Sequence, residues 1–483
     1  MSSQNDISLV HKLKLVLIGF VVSCGGSFHF GYQISIINPM ADVIQGFLGR
    51  SIENRLHHHL RIWTQKLLWP TVAGLLFVGA FLGAVLSPKL LHRYGMKPVL
   101  HLSTLLLVIS FSLAYISKIV NLAEIFIIHR LLVGIGIGMI TTAQTVYLTE
   151  VSPMKYRGFM GTMTGFSTSI GFVLASGIGL PQVLGQDHLW HYAYMIEILP
   201  SAILTLSLLL FLPTSPVEAL KKGNAKEALI CLETFCDKGT AFNQLAQMEQ
   251  EITVTEESST TVPLKTLCRE AGNVLFISLL LNATVSFSGI TAASFFGTFL
   301  LQNIGFNNNE AALANCLASL SGILGNVIGS FTIDRVGRRR LIIGCLSLLA
   351  LLNTILMGCV FFFQITDDNN VGYAFLGIFM IFLFIFSLGV GPVAWFIATE
   401  LSPASFRPQI QSLSVSCQYI TCFISSIVFL PLYQLVGPLS FLIFITPLTL
   451  CSVYLFFYLP ESKNRSPEAL FMDLKKTKEK TFG

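Results

Sequence analysis

Two stretches of this 483-residue chain carry the same chemistry: Tyr147 to Gly158 reads YLTEVSPMKYRG, and Phe396 to Pro408 reads FIATELSPASFRP. Both contain Glu-x-Ser-Pro-x-x-x-Arg, so that Glu150 and Glu400, and Arg157 and Arg407, stand 250 positions apart. Carboxylates and guanidiniums at matched positions suit ion pairs that close and must break again. A second echo sets Arg93-Tyr94-Gly95 against Arg335-Val336-Gly337, 242 positions on, and a third sets Pro213-Thr214-Ser215-Pro216 against Pro460-Glu461-Ser462-Lys463, 247 positions on. No Walker loop, metal-ligand cluster or nucleophile constellation accompanies them, so no catalytic residue, cofactor or metal is expected. The tract His57, His58, His59 reads as a solvated loop.

These residues lie in a chain that is 53% hydrophobic and 11% charged, with a mean hydropathy of +0.71. Soluble domains carry about 25% charged residues, so a surplus this apolar has to face lipid. Nucleic-acid binders, secreted disulfide scaffolds and soluble metabolic enzymes are thereby demoted. Apolar runs long enough to cross a bilayer are expected at about 13–36, 67–87, 98–117, 122–144, 158–178 and 190–212, and again at 272–300, 310–333, 340–363, 371–397, 408–432 and 438–459. The expected fold is an all-α membrane protein with twelve transmembrane helices in two six-helix pseudo-repeat bundles, 1–212 and 272–460. A linker with short helices, 213–271, joins them, and a tail, 461–483, follows. The three echoes fall in equivalent loops of the two halves, the mark of a parallel repeat whose solute site lies between the halves. All of the 30 basic residues except Arg50, Arg55, Arg61, Lys66, Lys118 and Arg130 fall on one side of this topology. The positive-inside rule makes that side, with both termini and the linker, cytosolic.

Uncharged hydrogen-bonding groups are costly in lipid and face the interior, as interhelical ties or as solute contacts. Tyr32, Gln33, Asn38, Thr141, Gln144, Thr168, Ser286, Thr291, Asn326, Gln418 and Tyr419 are of this kind. Almost no ionised group lies among them, which points to a neutral polar solute. Gly389-Val390-Gly391-Pro392 interrupts an apolar span and permits bending. Glycines at 134, 136 and 138, and at 322, 325 and 329, suit close helix contacts.

In order along the chain, FGYQISIINP, RLLVGIGIG, EVSPMKYRG, Ser288-Gly289, DRVGRRR, GVGPVAWF, ELSPASFRP and PESK resemble the sugar porters of the major facilitator superfamily, and more narrowly the facilitative glucose transporter family, from Gly31 to Leu474. The resemblance implies a uniporter that moves a hexose such as glucose or fructose across the plasma membrane by alternating access. Its partners would be that small neutral solute and the lipid bilayer, with no nucleic acid. It implies a gating network of Arg93, Glu150, Arg157, Asp334, Arg335, Arg338, Arg339, Glu400 and Arg407, ion pairs between the halves that close the cytosolic side, with Gly391 and Pro392 in a mobile gate helix. It implies solute contacts from Tyr32, Gln33, Thr168, Ser286, Thr291, Trp395 and Gln418, with the Trp395 ring available to stack on a sugar. Proton-coupled members carry an acid after the Gly-Tyr of the first span; Gln33 stands there and cannot titrate.

The chain departs from that pattern in its lining. Residues expected to be amides or acids are Gly165, Val285, Ser286, Thr291 and Ser387, while Met96 replaces an arginine and Pro213 to Pro216 lacks the usual glutamate. Machinery retained around an altered lining implies altered selectivity. A non-transporting sugar sensor, or a carrier of urate or an organic ion on the same fold, is the alternative.

Overall fold

The computed structural model describes residues 9–56, 62–153, 156–236, 238–253, 263–403, 406–463, 465 and 469–474; the histidine tract at 57–59 lies outside them. In lipid every backbone N–H and C=O has to be satisfied within its own segment, and a chain this apolar answers with long helices. Among the described residues the first half has spans at Leu9–Cys24 with Ser27–Ser35, Ile62–Tyr94, Met96–Val120, Ala123–Val151, Arg157–Ile178, and Trp190–Met195 with Ile198–Leu210. The second half has Leu264–Gln302, Asn308–Val336, Arg338–Thr366, Asn369–Leu401, Arg407–Val436 and Leu442–Tyr458. They are called the first to the twelfth span below. Short helices Pro216–Lys221, Ala225–Phe235 and Lys238–Thr253 lie between the halves in sequence. Large apolar side chains such as Leu206, Leu209, Phe331 and Phe457 are exposed on the outer faces, where lipid would cover them.

The repeat is written into the turns. The second and eighth spans end at Gly95 (φ 85°) and Gly337 (φ 95°), a left-handed backbone that suits glycine. A Cβ at either would also strike a carboxylate, that of Glu218 or of Glu461. The third and ninth spans end at Asn121 (φ 57°) and Asp367 (φ 51°), residue types whose short polar side chains tolerate that conformation.

Breaks in the first, seventh and tenth spans matter for the site. The first span bends by 42° at Gly25-Gly26, and the amide N–H of Ser27 freed there donates to Gln144 Oε1 at 2.9 Å. Gln144 is thus a clamp on the break. The seventh span has an i→i+5 turn over Ser286–Ile290, with Gly289 at φ 96°, and the tenth has another over Phe386–Val390. Such single wide turns are rare and often functional.

Within the first half, the second and fourth spans meet at Gly79, Gly83, Gly134 and Gly138, where a Cβ would collide with the facing backbone carbonyls. Gly325 and Gly329 do the same for the eighth span against the tenth. The halves join where the second span packs on the eleventh and the fifth on the eighth. Half of the fifth span's 22 residues are Gly, Ser or Thr, as befits a helix that faces the other half more than lipid.

Candidate solute cavity and gates

A cavity open in part to the surroundings lies between the halves, with about 950 Å³ of empty space when the solvent at its open side is included. Its wall is built from Phe30, Ile34 and Ser35 of the first span, Gly165, Thr168, Ser169 and Phe172 of the fifth, the seventh span on both sides of its wide turn, Asn315 to Asn326 of the eighth, Phe379 to Trp395 of the tenth, and Gln418 and Cys422 of the eleventh. Both broken stretches therefore border the space. The Trp395 indole forms part of the floor, with the Phe30 ring edge-on at 5.3 Å and Tyr419 at 6.5 Å. Beyond the floor, toward the end that bears the basic loops, Phe396 fills the space beside Gly161 and Thr149 Oγ1 meets Thr399 Oγ1 at 3.0 Å across the halves. The cavity is shut at that end. No Asp, Glu, Lys, Arg or His is among its described lining residues, and no group of three metal-ligating side chains forms elsewhere among the described residues.

Of the seven expected solute contacts, Thr168, Thr291, Trp395 and Gln418 line the cavity, and Tyr32, Gln33 and Ser286 do not. The reason is helical geometry. Phe30 and Ile34, one turn apart, present one face to the cavity, and Tyr32 and Gln33 project from the other. Tyr32 donates to the Ala193 carbonyl at 2.8 Å. Gln33 accepts from Arg130 Nη1 at 2.9 Å and donates to Glu197, whose other oxygen is 3.1 Å from His29 Nδ1; His29 Nε2 is 2.9 Å from Ser201 Oγ. All five side chains of this chain are fully buried and tie the first span to the fourth and sixth. His29 escaped the sequence reading; its signal is the one-turn spacing to Gln33 in an apolar run. Ser286 accepts from Thr421 at 2.8 Å and donates to the Gln418 carbonyl at 3.1 Å, so it supports the lining without forming it.

At the closed end, Arg338 grips Glu400 through Nη2 (3.1 Å) and Nε (3.3 Å), and Ser462 donates to the same carboxylate at 3.0 Å. Glu461 receives the backbone N–H of Arg338 at 2.9 Å and that of Arg339, capping the ninth span. The first half repeats this with different residues: Ser215 donates to Glu150, and Glu218 receives the Met96 N–H at 2.8 Å, capping the third span. The missing glutamate of the 213–216 stretch is thus supplied from three residues after Ser215. The missing arginine at Met96 is not, and Glu150 instead lies within electrostatic reach of Arg407 from the other half.

Within the expected network, the side-chain ion pair Arg338–Glu400 lies inside the second half. Arg407 Nε donates to the Thr399 carbonyl (3.2 Å), and Arg157 Nε to that of Ser152 (3.4 Å). Arg93 lies over the Tyr94 ring at 5.3 Å. Arg339 Nη2 donates to the Phe456 carbonyl at 2.6 Å, and the carbonyl of exposed Arg335 accepts from Lys463 Nζ at 2.8 Å. The Asp334 side chain lies outside the described residues. Gly391 and Pro392 border the cavity at the start of the last segment of the tenth span.

A family profile described as "Sugar (and other) transporter" matches residues 18–471. The chain belongs to this family. Among curated relatives, mouse solute carrier family 2, facilitated glucose transporter member 3, is 28% identical over 462 residues, covering 94% of this chain and 91% of the relative. The Caenorhabditis elegans facilitated glucose transporter protein 1 is 25% identical over 473 residues, covering 96% and 91%. Among solved structures, the major facilitator superfamily proton:xylose symporter XylE, bound to 6-bromo-6-deoxy-D-glucose, superposes with a TM-score of 0.82 at 19% identity, covering 95% of this chain and 99% of that one. The Escherichia coli fucose:proton symporter FucP gives 0.58 at 12%, covering 91% and 98%. The fold is therefore that of the major facilitator superfamily.

At Gly165 a Cβ would lie 2.7 Å from Pro392 Cβ and 2.9 Å from Asn326 Oδ1, so the opposite wall leaves no room there for a larger side chain.

Proposed function

We propose that the chain is a facilitative transporter that carries a hexose such as glucose or fructose down its gradient by alternating access, in the plasma membrane, with both termini in the cytosol. The cavity carries this reading. Its described wall has no formally charged side chain but has amides, hydroxyls and aromatic rings. A neutral ring rimmed with hydroxyls matches such a wall, with its polar edge on amides and hydroxyls and its C–H face on the Trp395 indole. A charged solute would be desolvated there without a partner. The glucose transporters among the relatives support the hexose class. Opening at the basic end would require parting Phe396 from Gly161 and Thr149 from Thr399, with the wide turn before Gly391 and Pro392 absorbing the motion of the tenth span.

Uniport is favoured because Gln33, between Arg130 and Glu197, has no proton to exchange. Proton symport is the second reading, favoured by the buried contact of two titratable groups, Glu197 and His29, beside that glutamine. The test is uptake of radiolabelled glucose or fructose into proteoliposomes, with a non-sugar competitor in parallel. Saturable uptake that persists with a protonophore at a fixed sugar gradient is the expected result. Collapse of uptake would select symport, and no flux from folded protein would select a sensor.

A further inference from the structure

We infer that the cavity reads its solute as a hydrogen-bond donor and that Asn326 is a residue that decides specificity. The inference rests on the hexose reading above and adds how the sugar is recognised. Asn326, 2% exposed, lines the cavity from the eighth span. Its Nδ2 lies 3.2 Å from the Gly322 carbonyl, which can only accept, and 2.6 Å from Ser169 Oγ on the opposite wall. That geometry fixes which end of the amide is nitrogen. Oδ1 is left buried with no hydrogen-bond partner, packed against Gly165, where an added Cβ would lie 2.9 Å from it.

The neighbouring hydroxyls point the same way. Thr168, Ser294 and Ser319 line the same cavity, and each gives its proton to a backbone carbonyl, at 2.9, 2.7 and 2.9 Å. Each therefore has lone pairs, and no proton, to offer a solute. Gln418, 3% exposed, likewise has its Oε1 buried without a partner. A buried acceptor with no donor is costly, and a solute hydroxyl that donates to Asn326 Oδ1 relieves that cost. An analogue unable to donate leaves the oxygen unpaired, the situation in which a polar site discriminates most strongly.

The test is competition against radiolabelled hexose uptake in proteoliposomes by a series of deoxyfluoro hexoses, one hydroxyl replaced at a time, on the unaltered protein and on Asn326→Leu. Fluorine is close to hydroxyl in size and cannot donate. At one ring position or more, the fluoro analogue should compete roughly tenfold worse than the parent on the unaltered protein. Asn326→Leu should weaken the parent by a similar factor and erase the penalty at that position. A series in which every fluoro analogue stays within about twofold of the parent overturns the inference, as does Asn326→Leu with the penalties intact. The series on the unaltered protein needs no substitution, so it decides even where Asn326→Leu does not fold. Hexose uptake with a flat fluoro series overturns the donor rule alone, whereas no uptake of any hexose by folded protein overturns the hexose reading and the donor rule with it.

Discussion

The Arg338 guanidinium holds the Glu400 carboxylate by two hydrogen bonds at the closed end of the cavity, with both side chains buried. The matching position in the first half is Met96, so the closure is lopsided. Breaking a buried pair by removing one partner costs about 3–5 kcal/mol. Glu400→Gln and Arg338→Met should shift the protein toward a form open at the basic end. The check is labelling of a single cysteine introduced at Thr399, in a background free of other reactive thiols. Labelling no faster than in the parent protein would remove this pair from the gate.

Gly165 sits between Pro392 and Asn326 with no room for a Cβ. Gly165→Ala should force the fifth and tenth spans apart or shift Asn326, an overpacking cost of about 1–3 kcal/mol. Thermal unfolding in detergent should show the loss, and pairing it with Asn326→Gly should recover part of the melting temperature. Full stability of Gly165→Ala alone would contradict the contact.

Glu218 caps the third span at the Met96 N–H and lies beside Gly95 at φ 85°. Removing a cap of this kind costs about 1 kcal/mol. Glu218→Ala should therefore lower the melting temperature, and Glu218→Gln, which keeps an acceptor, should lower it less. Equal effects would mean that the charge, which also meets Lys222 Nζ at 2.6 Å, is what matters.

At the opposite end of the molecule, Asp187 joins Arg50 (2.6 Å) and Lys118 (3.3 Å), linking the Ala41–Leu56 helix to the end of the third span. Partial burial alone would raise its carboxyl, but Lys118 and Arg50 together outweigh that and hold it below its ordinary 3.8. A folded-state value below the unfolded one means stability that is fully present above the unfolded pKa and is lost as pH falls through the folded one. The difference in melting temperature between the parent and Asp187→Asn should hold steady from neutral pH down to about pH 5 and shrink below about pH 4. A difference that already shrinks between pH 7 and 5 would show that Asp187 is not depressed. The pair is half exposed, and added salt should reduce the effect.

The path of the chain was legible because lipid allows few solutions. Apolar length marks each span, the arginines and lysines mark one side, and three echoes at a near-constant offset mark the repeat; all are local properties of the residues. The wide turn before Gly391 was legible for the same reason, since two glycines and a proline in an apolar run can hardly continue an ordinary helix. The cleft in the first span at Gly25-Gly26 was not read, because its freed N–H is satisfied by Gln144, which is 117 residues away.

Which polar residues face the cavity was decided by tertiary structure alone. Tyr32 and Gln33 look like lining residues in the sequence, yet the roll of the first span turns them toward Ala193, Arg130 and Glu197 and gives the cavity Phe30 and Ile34. Sequence placed the carboxylates Glu150 and Glu400 at matched positions, but only packing decided that Arg338 answers one while Ser215, with Arg407 nearby, answers the other. The residues of this chain determined a helical, two-fold, uncharged passage by their types and order, since solvation acts on each segment separately. The lining of that passage depends on angles and distances between segments far apart in sequence, such as Asn326 packing against Gly165, and those exist only once the helices have packed.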